Sequence, residues 1–136
     1  MQKIKFIRLA LILFGIIGIG IGSALLFFPV AFESSVGIVL AADSSLLSEM
    51  RAFGGILLVG GIIIMFGAFN SKITYLSLVL ACLLYLSIGL SRLVGMIVDG
   101  MPSESLVSAT IVELIIGAIC LWLILTGKKP QLQGAN

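Results

Sequence analysis

The sequence predicts an all-α integral membrane protein, a four-helix transmembrane bundle with both termini cytoplasmic. Its 136 residues are 60% hydrophobic and 10% charged, against roughly 45–50% apolar and about 25% charged in soluble domains. Mean hydropathy is +1.30. Four apolar runs each supply the roughly 20 residues that a helix needs to cross a hydrocarbon core. A single transmembrane domain over residues 1–136 is what this length accommodates.

The first span is expected over about 6–28, closed by Pro29. The second runs over about 44–69 and stops at Asn70-Ser71-Lys72. The third covers about 73–98, ending at Asp99-Gly100-Met101-Pro102. The fourth covers about 104–126, ending at Gly127-Lys128-Lys129-Pro130. Membrane β-barrels need short alternating segments, and these continuous runs do not alternate. The segment "PVAFESSVGIVLAADSS" between spans one and two is apolar for a loop. It reads either as a short re-entrant or surface segment over the bundle, with Asp43 or Ser44 capping the next helix, or as an extended linker. Asp99 to Pro102 should make a tight turn, with Ser103 capping span four.

Lys3, Lys5 and Arg8, then Lys72, then Lys128 and Lys129 all fall at one end of the spans, whereas Glu33, Asp43, Asp99 and Glu104 fall at the other. The positive-inside rule makes the basic end cytoplasmic, in a plasma membrane. "MQKIKFIR" before an apolar run also resembles a signal peptide, but the run exceeds the 7–15 residues typical of a signal h-region. Tyr75 and Trp122 read as interfacial anchors at the basic end. Glycines at 15, 18 and 22, and at 54, 55, 60 and 61, read as close helix packing.

Several chemistries are excluded or thin. The chain has no histidine, which removes His-based metal sites and His-dependent nucleophiles. No metal site, catalytic residue or cofactor is expected, and the enzyme question leans towards no. Cys82 and Cys120 lie inside apolar runs and read as buried free thiols. A net charge of +2 with no basic run gives no nucleic-acid partner.

Glu113 is the lone charge in "SATIVELIIGAICLWLIL". It lies about 13 Å below Glu104 at 1.5 Å per residue, and Arg92 lies about 10 Å below Asp99. Arg51, with Glu49, sits early in span two. Residues seven apart on a helix share a stripe, so Tyr85, Arg92 and Asp99 align. Thr110, Glu113, Gly117 and Cys120 form a small and polar stripe on span four, opposite Ile111, Ile115 and Trp122. Insertion scales assign about 2.5–3.5 kcal/mol to an unpaired Arg or Asp at a helix centre. Glu113 is therefore expected to face Arg92, Arg51 or both, the guanidinium fork suiting a carboxylate. The expected cluster is Glu49, Arg51, Arg92, Asp99 and Glu113, with Tyr85 able to donate into it. A buried ion network that fixes helix register is the plain structural reading. An outward-facing polar pocket is the functional one.

With those residues assembled, the chain resembles a family of small four-helix membrane proteins catalogued as domain of unknown function 4345. The resemblance rests on "SEMRAFGG", "SRLVGMIVDGMPS" and the lone Glu113 in "VELIIG". It spans residues 48 to 125 and implies a fold and a shared polar cluster, but no activity. A wider similarity links the chain to DoxX-like four-helix membrane proteins.

The leading expectation is a binding or accessory protein for membrane lipid or an anionic or amphiphilic small molecule. A small proton-coupled transporter using Glu113, working as a homo-oligomer, is the alternative. Small multidrug transporters also combine four helices with one membrane carboxylate, but arginines around Glu113 argue against a cation as cargo.

Overall fold

A computed structural model describes residues 2–41 and 43–126, apart from the side chain of Lys3. Among these the secondary structure is entirely helical: α1 (Gln2–Phe27), α2 (Pro29–Ser35), α3 (Ser44–Phe66), α4 (Thr74–Val98) and α5 (Glu104–Thr126). All except α2 are long and apolar enough to cross a bilayer. The protein is multi-pass. Gly127, Lys128, Lys129 and Pro130, the expected stop after the last span, lie outside the described residues.

Local chemistry sets the boundaries. Pro29 lacks an N–H and disfavours a helical conformation in the residue before it. Accordingly α1 ends at Phe27 and Pro29 becomes the first residue of α2. The α1–α3 connection is therefore partly helical rather than an extended linker. Gly37 (φ +88°) turns the chain after α2. Asp43 caps α3, its carboxylate accepting from the N–H groups of Ser45 and Leu46 at 2.8 and 2.9 Å. The second span is shorter than expected: α3 stops at Phe66, and residues 67–73 form turns. There Thr74 Oγ1 donates to the Gly67 carbonyl at 2.7 Å and Ser77 Oγ to that of Ile63 at 3.0 Å. At the other link Gly100 takes φ +97°. Ser103 departs from its expected capping role, since its hydroxyl donates to the carbonyl of Val36 at 2.6 Å. That bond ties the α4–α5 turn to the segment after α2.

The long helices pack as two antiparallel pairs, α1 with α3 and α4 with α5, and the pairs meet more loosely. Glycine explains the first pairing. A Cβ on Gly54 would meet Leu26 N at 2.6 Å and Gly22 O at 2.9 Å, and one on Gly61 would meet Ile19 N at 2.6 Å and Gly15 O at 2.9 Å. Backbone approaches backbone along that seam, the arrangement that small residues permit between membrane helices. In the second pair Gly89 admits Leu114, a Cβ there lying 2.8 Å from its Cδ2.

Burial divides the molecule along its length. The end that carries Lys5, Arg8 and Lys72 is solid, its core built from Leu11, Phe14, Ile64, Leu78, Ala81, Cys120 and Leu123. The opposite, acidic end is hollow. Large apolar side chains such as Ile56, Leu83, Ile115 and Trp122 point outward at 54–65% exposure, as lipid-facing surfaces require.

Candidate functional site: a charged cavity beneath a short helix

The hollow is a largely enclosed cavity of about 270 Å³ between the two helix pairs. Its walls are mostly aliphatic: Ile17, Ile21 and Leu25 from α1, Leu57 from α3, Ile88 from α4, and Leu106, Val112 and Ile116 from α5. Helix α2 roofs it, contributing Phe32 and Glu33, with Val36 and Ile38 from the segment that follows. Tyr85 and Ile116 belong both to this wall and to the solid core. Tyr85 therefore marks the floor, and its hydroxyl donates to the Phe14 carbonyl on α1 at 2.5 Å. Its donor is thus directed to α1 rather than into the cluster. The rings of Phe14 and Tyr85 tilt at 60° with centroids 6.3 Å apart.

Among the described residues, the charged groups lining the cavity are Glu33, Arg92 and Glu113. Nε of Arg92 lies 3.2 Å from Oε2 of Glu113, joining α4 to α5, with side-chain exposures of 32% and 13%. That carboxylate oxygen is itself fully buried and receives no hydrogen bond. The contact is thus electrostatic.

Glu33 was not legible as a member of this set. Pro29 and Glu33, four residues apart, are both buried on the inner face of α2. Burial raises the Glu33 carboxyl above its ordinary value of 4.5, while the positive charge of Arg92 pulls it down. The available signal was the Pro-x-x-x-Glu spacing, which puts the carboxylate on the same helical face as the proline.

The other expected members of the cluster lie elsewhere. Arg51 is exposed, and its guanidinium donates to the carbonyl of Leu26. Leu26 is in the last turn of α1, where carbonyls lack intrahelical partners and the helix dipole favours a cation. Arg51 therefore caps α1 and does not face Glu113. Glu49 is exposed on the outside of α3. Asp99, also exposed, borders a separate surface recess between α4 and α5 that it shares with Arg92, Met96 and Thr110. A second shallow groove, between α3 and α4, is lined by Phe53, Ser87, Ile88, Ser91 and Arg92. Phe53, Ile88 and Arg92 line both that groove and the cavity. They form the partition between the interior and the lipid-facing side.

Cys82 and Cys120 are buried and free. No group of His, Cys, Asp and Glu among the described residues is arranged to hold a metal ion.

A family model described as a domain of unknown function (DUF4345) matches residues 6–124, which takes in all five helices almost entirely. No curated protein and no solved structure matches the chain.

Proposed function

The chain belongs to the family of domain of unknown function 4345, and for this member we propose a binding or accessory role in which the cavity holds a small amphiphilic molecule or lipid. The observation that carries the reading is the pairing of aliphatic walls with three charged side chains at one end of an enclosed space. Ligand sites combine those features: apolar area for affinity and a few placed polar groups for orientation. Were the ion pair needed only to fix helix register, no empty volume beside it would be required, and interiors otherwise close-pack.

In this reading the acidic end faces the extracytoplasmic side of a plasma membrane, following the distribution of Lys5, Arg8 and Lys72. The tail of the ligand lies against Ile17, Leu57 and Ile116, and its head lies near Arg92 and Glu113. Entry is lateral, between α3 and α4, where Phe53 and Ile88 separate the cavity from the outer groove.

The test fills the space without touching a charge. Ala109 lines the cavity, so Ala109→Phe should occupy it. Organic extracts of the purified wild type, analysed by mass spectrometry, should contain a co-purifying amphiphile that Ala109→Phe lacks at unchanged helicity. Equal content in both proteins would sink the reading.

A further inference from the structure

The charges that line the cavity are not the ones that the sequence brought together. Two arginines around Glu113 would favour an anion. In the structure Arg51 caps α1 outside the cavity, and Glu33 enters from α2. The cavity thus holds one guanidinium and two carboxylates.

Resting on the binding role above, we propose that the cavity selects a cationic amphiphile, a protonated aliphatic amine whose ammonium sits between Glu33 and Glu113. An ammonium group supplies three N–H donors and no acceptor. The recipients are the two carboxylates. Oε2 of Glu113 is buried and accepts no hydrogen bond, and no described residue donates to the carboxylate of Glu33. Arg92 meets Glu113 through Nε, so one positive charge is set against two negative ones. A single added cation brings the set to neutrality. A carboxylate or phosphate head would instead add a further negative charge to a site of restricted solvent access, where unbalanced charge is costly. The Tyr85 hydroxyl does not alter this balance, being neutral and bonded to the Phe14 carbonyl.

Size narrows the class. A cavity of about 270 Å³ suits a short-chain amphiphile. Octylamine, octanol and octanoate share one chain length and differ in the head group alone.

The experiment compares these three probes on the full chain in neutral detergent, in mildly alkaline buffer where octylamine is protonated. Affinity is read from the concentration dependence of Tm. Octylamine is expected to bind most tightly to the wild type. Glu33→Gln should weaken it roughly tenfold or more, the worth of one charge-assisted hydrogen bond, while leaving octanol unchanged. If octanoate or octanol binds best, or if Glu33→Gln leaves octylamine unaffected, the amine assignment fails and the cavity reading survives. If none of the three binds, and Ala109→Phe responds to them as the wild type does, both fail together. Should Glu33→Gln not fold, Glu33→Asp and Glu113→Asp serve in its place. Each keeps the charge but draws it back, and each should weaken octylamine selectively.

Discussion

Nε of Arg92 lies 3.2 Å from Oε2 of Glu113, yet that buried oxygen accepts no hydrogen bond. The pair is therefore held by charge rather than by a bidentate fork. Arg92→Leu leaves Glu113 uncompensated and should cost about 1–3 kcal/mol, below the value for a fully buried pair because the guanidinium keeps solvent access. Arg92→Leu with Glu113→Leu should be more stable than the sum of the single changes requires. A double-mutant cycle from denaturation in detergent measures the coupling. Strict additivity would count against the pair.

The glycine seam makes a sharper contrast. Gly61→Ala would push α1 from α3, since its Cβ meets Ile19 N at 2.6 Å. A loss of about 1–3 kcal/mol is expected. Gly55 has open space around it, so Gly55→Ala should be neutral or stabilising by up to about 1 kcal/mol. Thermal melts of the two variants decide the matter, and equal effects would mean that the close approach is mistaken.

Tyr85→Phe removes the donor to the Phe14 carbonyl. Its expected cost is about 0.5–1.5 kcal/mol. Faster hydrogen exchange should appear where α1 meets α4, with α5 unaffected.

Stability should fall as pH rises, through Glu33. Its folded pKa is raised above 4.5 by burial, so across the window just above 4.5 the folded state holds a proton that the unfolded state has released. The unfolded chain then binds fewer protons, and the slope of unfolding free energy against pH is negative. The contribution is fully present below 4.5 and is lost as pH climbs through the raised value. Glu33→Gln should flatten that part of the Tm–pH profile, and an unchanged slope would rule Glu33 out as its source.

Much of the fold can be read from the residues because the membrane leaves few choices. Runs of about 20 apolar residues must be helices with satisfied backbones. Pro29, Asp43 and Gly100 punctuate them by local chemistry alone. The inward stripes also follow from periodicity: Thr110, Gly117 and Cys120 are buried while Ile111, Ile115 and Trp122 are exposed. The contact between Arg92 and Glu113 was legible for the same reason, two costly charges at similar depth on inward faces. Arg51 was not, because its partner is a backbone carbonyl at the end of another helix, which no side-chain inventory contains. Glu33 escaped because α2 is seven residues long, so that the spacing from Pro29 was the one mark of its inner face.

The glycine seam also limits how the shape of the cavity could vary. The α1–α3 wall of the cavity is set by backbone against backbone, so bulkier residues along that seam would part the pair before they reshaped the chamber. Innovation is thereby steered to the opposite side, where α2 and the first turns of α5 line the cavity through side chains alone. Among relatives of this chain, the glycines should read as scaffold and positions such as Phe32, Glu33, Leu106 and Ala109 as the vocabulary of choice.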